Sequence, residues 1–212
     1  MTPMPDTEGC PEADGPRQAG RPRDPACDAA ILRATLDAFE ATGYAGVSFE
    51  GVATRAGVGK TTVYRRYPTK AELVVEAVKA GVQIEDVLPD TGDVRADLIA
   101  MMRPLMHHLR GKHGSLLLRF ATERVRNPDL AEAFDRAVVG RKRDHMRHLL
   151  QQAVDRGDLP ADADVDLIAE AGPAYIWHHA LYGLELDDDL PARVVDLVLP
   201  APAVAPPKPR RR

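Results

Sequence analysis

The sequence predicts an all-α chain in two helical domains, and three observations carry that prediction. Apolar residues recur three and four apart in one segment after another, as on the buried stripe of an amphipathic helix. No alternating apolar-polar run of strand length lies between these segments. Helix stops and starts (Gly43, Ser48, Gly57, Pro68-Thr69, Pro89 to Gly92, Asn127-Pro128, Gly157) divide the chain at helix-length intervals.

Residues 1–24 carry five prolines with glycines and mixed charges and almost nothing apolar larger than Met. They read as a disordered N-terminal arm. Its basic half, Arg17, Arg21 and Arg23, directly precedes the first helix; a solvated linker is the favoured reading, and a minor-groove arm is the alternative. From Pro25 to Thr42 the positions Ile31, Leu32, Thr35, Leu36 and Phe39 mark a helix that Gly43 ends. Ser48 is a good N-cap for a short second helix carrying Phe49, Val52, Ala53 and Ala56. Gly57 suits a left-handed helix terminus, and Gly59 keeps the turn compact before a third helix carries Val63 and Tyr67 inward. Thr69 with Glu72 forms a capping-box pattern that opens a fourth helix to about Val87. Residues 25–88 are therefore expected to form one small helical domain that ends in a connector helix.

The second domain is expected over residues 89–199. Leu98 to Leu109 is an amphipathic helix that Pro104 should kink, and Leu116 to Val125 is a short apolar one. A long helix should run from about Asp129 to Arg156, followed by helices near Val165 to Gly183 and Pro191 to Leu199. Residues 200–212, Pro-Ala-rich and ending in Arg210, Arg211 and Arg212, read as a disordered basic tail.

The chemistry concentrates between Ser48 and Lys70. Arg55, Lys60, Arg65, Arg66 and Lys70 have no acidic residue among them, although the 212-residue chain has a formal net charge of -4. A local cationic face on an acidic protein suits a phosphate-backbone binder. With Val63 and Tyr67 inward, Lys60, Thr61, Thr62, Tyr64, Arg65 and Arg66 are left outward on the third helix.

The stretch from about Ala30 to Val78 resembles the helix-turn-helix of the TetR family of bacterial transcriptional repressors. The residues that carry the likeness are Val52-Ala53, Ala56-Gly57-Val58, Thr62-Val63-Tyr64, Tyr67 and Lys70-Ala71-Glu72-Leu73. The resemblance implies that Lys60, Thr61, Thr62, Tyr64 and Arg66 meet base edges and nearby phosphates, with Ser48 and Arg65 in the same interface and Lys70 as a phosphate clamp. Arg66, and less surely Arg65, is the choice for reading guanine, because an arginine can donate two hydrogen bonds to it. Two adjacent arginines depart from many family members, which leaves open which one reaches a base. The resemblance further implies a ligand pocket among Met102, Met106, Phe120, Trp177 and His178, and a dimer face on Val165 to Gly183 and Val194 to Leu199.

Other functions are weighed and set aside. Gly59-Lys60-Thr61 looks like the end of a phosphate-binding P-loop, but the residue five before Gly59 is Thr54 and the preceding stretch is helical, not a strand. A nucleotide-binding protein and a helical protein-interaction module without DNA remain the alternatives. The seven histidines form no HExxH or Cys/His cluster, and no nucleophile elbow occurs, so neither enzyme activity, metal nor cofactor is expected. Cys10 and Cys27 read as free thiols. No stretch approaches the roughly 18 apolar residues of a membrane span, and no apolar signal core opens the chain, so a cytoplasmic protein is expected. Its expected partners are double-stranded operator DNA, a second copy of itself and an unknown small-molecule effector.

Overall fold

A computed structural model of the chain describes residues 24–199, so the expected N-terminal arm, apart from Asp24, and the basic tail lie outside the described residues. Among the described residues the structure is helical without strands: α1 Pro25–Gly46, α2 Phe49–Ala56, α3 Lys60–Arg66, α4 Lys70–Val82, α5 Val94–Arg110, α6 Gly114–Arg126, α7 Pro128–Phe134, a π-helical turn Asp135–Val139, α8 Gly140–Arg156, α9 Val165–Leu181 and α10 Leu190–Val198. They form two compact units. One runs to Gln83 and takes in Glu123–Ala133; the other comprises Ile84–Thr122 and the chain from Phe134 onward.

In the first unit α1 packs on α2 and α4, and α2 packs on α3. Asp24 caps α1 by accepting from the Ala26 N–H at 3.0 Å, and Pro25 sits where its missing N–H costs nothing. The helix breaks at Gly43, with φ 74, and the chain turns through Val47 to Ser48. Ile31, Phe39, Val47, Val52, Val63, Leu73 and Val74 are fully buried or nearly so. Each large aliphatic among them contributes about 1.5 to 3 kcal/mol.

Ser48 accepts from the Gly51 N–H and Thr69 from the Glu72 N–H, both at 3.1 Å, so both expected caps form. The connector helix is shorter than the expected reach to Val87. It stops at Val82 because Gln83 turns left-handed, with φ 59 and ψ 51.

In the second unit α5 packs on α8, α9 and α10. Leu98, Met102, Leu150, Ile176, Leu190 and Val195 are at most 2% exposed. Gly172 on α9 is a close-approach position, because a Cβ there would collide with the Met102 side chain. α5 continues through Pro104 without ending. The expected single helix from Asp129 to Arg156 is two helices joined by the π-helical turn, where the Gly140 N–H reaches back to the Asp135 carbonyl. Asp97, buried at the start of α5, accepts from the Thr91 N–H at 2.9 Å and its hydroxyl at 2.7 Å, and is thus satisfied without a cation.

Candidate nucleic-acid interface

The turn between α2 and α3 is built by Gly57, which sits at φ 67 and ψ 34 and ends α2 with its N–H on Ala53 and Thr54 carbonyls. Gly59 then precedes α3 with φ -65 and ψ 140, geometry open to any residue, so its compactness does not require a glycine. Lys60 is the first residue of α3, after a helix and not a strand. That removes the phosphate-loop geometry the Gly-Lys-Thr sequence suggests.

On α3, Val63 is fully buried and fastens the helix to the unit. Thr61, Tyr64 and Arg65 are exposed and Thr62 half-exposed. Tyr64 is 46% exposed, yet its ring stacks on Phe49 at 4.1 Å and 12°, so α2 holds an aromatic side chain upright on the outer surface. Lys60 lies 5.8 Å from the centre of the same ring and pairs with Glu50. The hydrogen bond from Lys60 lowers the Glu50 carboxyl and raises the lysine. Both side chains are solvent-exposed, so the pair is readily exchanged for a phosphate.

Lys70, the first residue of α4, is held differently. Its ammonium sits 4.5 Å from the Tyr44 ring centre and donates to the Ala45 carbonyl at 3.3 Å. Tyr44 in turn donates from its hydroxyl to Asp129 at 2.5 Å and from its N–H to Glu123 at 3.3 Å. Burial, followed by Asp129, raises the Tyr44 hydroxyl's pKa. Sequence reasoning missed Phe49, Glu50, Tyr44 and Asp129 as supports of this surface. The last two are 85 positions apart, and nothing local signals the pairing.

The two arginines diverge. Arg65 is exposed and engages no described residue. Arg66 pairs with Asp28 on α1, reaches the Asp24 carbonyl at 3.5 Å, and keeps only 13% of its side chain exposed. The hydrogen bond to Asp28 raises the guanidinium's pKa further.

The five expected ligand-site residues are distributed unevenly over the second unit. Met102, Met106 and Phe120 are buried, and Phe120 meets Phe134 edge-on at 4.9 Å. Trp177 is half-buried, and His178 lies on the exposed face of α9 beside Tyr182, with ring centres 4.7 Å apart. Met106 borders a surface cleft of about 330 Å³ with Arg103, His107, Arg110 and Asp188. Cys27 is a free thiol, and Cys10 lies outside the described residues.

Comparison with known proteins places this surface in context. Residues 31–77 match the family described as bacterial regulatory proteins, tetR family, and residues 88–198 match the tetracyclin repressor-like C-terminal domain. An HTH-type transcriptional regulator of Mycobacterium tuberculosis is 32% identical over 189 residues, covering 86% of this chain and 93% of its own. The DNA-binding transcriptional repressor TetR of Mycobacteroides abscessus is 33% identical, covering 81% and 90%.

Among solved structures, the TetR family transcription regulator SCO0332 aligns with a TM-score of 0.61 at 30% identity, over 85% of this chain and 99% of that one. FadR from Bacillus subtilis, in complex with stearoyl-CoA, aligns with a TM-score of 0.62 over 81% and 97%, at 17% identity, a likeness of fold. Two matched domains in this order, together with relatives about a third identical over most of both chains, lead to one conclusion: the chain belongs to the TetR family of DNA-binding transcriptional regulators, which are not enzymes.

Proposed function

We propose that the protein is a cytoplasmic, effector-responsive homodimeric repressor whose two α3 helices enter major grooves of a palindromic or near-palindromic operator. The two-fold axis of a dimer requires half-sites about one helical turn apart or slightly more. The observation that carries this reading is the outer face of α3, where Thr61, Tyr64 and Arg65 are exposed while Val63 pins the opposite side. Lys60, Thr61, Thr62 and Tyr64 meet base edges and adjacent phosphates, and Ser48 and Lys70 meet the backbone. Residues 25–88 act as the reading domain and 89–199 as the regulatory and dimerising one. The naming of the M. abscessus relative as a repressor supports repression over activation.

The test is fluorescence anisotropy against the DNA upstream of the protein's own gene. Saturable binding with a two-fold symmetric footprint is expected, and equal affinity for random DNA would overturn the operator reading. Lys70→Ala should weaken binding to every sequence and reduce the slope of log affinity against log salt by about one. An unchanged slope would reject Lys70 as a phosphate clamp.

For the effector, the same reading puts a largely apolar small molecule beside Met102, Met106 and Phe120, with half-buried Trp177 at its edge and His178 left outside it, on the exposed face of α9. Two thioethers give that part of the core deformable walls. The stearoyl-CoA bound by the Bacillus subtilis neighbour makes that compound the first probe. Trp177 is the chain's single tryptophan, so its emission reports the region without labelling. Titration with stearoyl-CoA should shift that emission and release operator DNA; neither change would exclude this ligand.

A further inference from the structure

Two adjacent arginines end the reading helix, and their surroundings are opposite. Arg66 is turned back into its own unit: its guanidinium pairs with Asp28 and reaches the Asp24 carbonyl, both at the start of α1, 38 and 42 positions earlier. Its side chain is 13% exposed and that of Asp28 31%. A partly buried, charge-assisted pair of this kind resists exchange, because removing one partner leaves the other desolvated and uncompensated. To reach a base, Arg66 would have to abandon that pair and uncover Asp28. Arg65, one residue earlier on the helix and so about 100° round it, is exposed and holds no described residue. Its five donors hold no partner among the described residues, and a guanidinium presents them in the fork that matches guanine O6 and N7.

We propose that Arg65 is the base-reading arginine of this protein and that Arg66 is a positioning residue, a strut that fixes the C-terminal end of α3 to the N-terminal end of α1. The assignment rests on α3 being the reading helix, and it reverses what the family pattern at these positions suggests. It gives Asp28 a purpose as well. A carboxylate beside the reading helix would repel DNA if it faced outward; paired with Arg66 it is neutralised and holds the helix at a set angle.

The experiment measures affinity of the full-length protein for its footprinted operator and for a scrambled duplex of equal length, with thermal unfolding followed in parallel. Arg65→Ala should lower operator affinity about ten- to a hundred-fold and scrambled-DNA affinity by much less, with the melting temperature unchanged. Arg66→Ala should weaken both duplexes by a similar factor and lower the melting temperature. Asp28→Asn, which removes no group able to bind phosphate, should reproduce Arg66→Ala. Were Arg66 the base reader, Asp28→Asn would instead release it and leave operator affinity equal or higher.

Arg66→Lys supplies the decisive contrast. A lysine retains the charge that pairs with Asp28 but not the fork that reads guanine, so near-normal discrimination supports the strut. Arg66→Lys that loses discrimination as fully as Arg66→Ala, or Arg65→Ala that keeps it, overturns the proposal. Operator preference that persists in both arginine variants but falls with Thr61→Ala would remove Arg65's role while leaving DNA reading by α3 intact.

Discussion

At the scale of single residues, the outer face proposed to read DNA is supported from behind by side chains of its own unit. Tyr44 is 6% exposed and serves three neighbours, donating to Asp129 and Glu123 while its ring lies against the Lys70 ammonium. The folded state holds the Tyr44 proton more tightly than the unfolded chain does, first because burial disfavours the phenolate and then because Asp129 would face it. The sign follows: this contribution is fully present below the unfolded tyrosine pKa of about 10 and is lost as pH rises above it.

Tyr44→Phe should therefore remove part of the loss of stability between about pH 9 and 11, at a cost near neutral pH of about 0.5 to 1.5 kcal/mol for the hydrogen bond to Asp129. Urea unfolding at both pH values measures it, and an identical alkaline loss in the variant would exclude Tyr44 as the source. His108 gives the opposite dependence. Burial, then His107, His113 and Lys142, lower its pKa against the opposing Glu85. Its contribution is present above about pH 6.5 and is lost as pH falls below that. His108→Gln should flatten the acid limb of the same measurement, and an unchanged limb would assign it elsewhere.

At the scale of elements, the α2-turn-α3 motif hangs on one glycine. Gly57 occupies left-handed geometry with open space around its missing Cβ, so an alanine there meets backbone strain alone. Gly57→Ala should destabilise the first unit by about 1 to 2 kcal/mol, whereas Gly59→Ala should change stability by less than about 0.5 kcal/mol. Thermal unfolding of the two variants compares them directly, and equal losses would contradict the turn geometry.

This motif was legible in the sequence because its determinants are local: the Ser48 and Thr69 caps, Gly57, and an apolar stripe ending in Val63. The end of α4 was not. Apolar spacing continues to Val87, but beyond Gln83 the backbone is bonded to α8 from about 55 residues away. There Lys142 donates to the Glu85 carbonyl at 2.9 Å, Arg141 pairs with Asp86 at 2.7 Å, and His145 donates to the Pro89 carbonyl at 2.7 Å. Such non-local partners outweigh helix propensity, which is worth a few tenths of a kcal/mol per residue. The π-helical turn at Asp135–Val139 was equally invisible, since Leu130, Phe134, Val138 and Met146 lie at multiples of four residues, a spacing read equally as a plain α-helix. The same distinction explains the site: charge and exposure on α3 follow from sequence, whereas the capture of Arg66 by Asp28 requires α1 and α3 to be brought together.

At the scale of the whole molecule, one surface of the second unit lacks a described partner. Along α9 and its cap residue Tyr182, Leu167, Ala174, Tyr175, His178, Leu181 and Tyr182 fall on one face by helical spacing, and all are exposed, Leu167 at 63% and Tyr182 at 73%. Ile168, Ala169, Gly172 and Ile176 occupy the opposite side and are buried. An apolar, aromatic strip of this kind is unusual on a protein that remains a monomer. A two-fold interface would set α9 against its own copy, because the same patch must serve both partners. Placing carboxylates in that strip with Leu167→Glu and Tyr182→Glu should drive the proposed dimer toward monomer, since two like charges then face their symmetry mates without counter-ions.

The functional consequence separates dimerisation from reading. Affinity for an isolated half-site should be unchanged, because α3 lies in the other unit, while affinity for the full operator should fall by roughly 10²- to 10⁴-fold as the second reading head ceases to bind intramolecularly. Sedimentation of the variant alone, with anisotropy on half and full sites, tests both arms. A variant that stays dimeric places the interface elsewhere. One that becomes monomeric yet binds the full operator as tightly as the parent would show that the two half-sites are read independently.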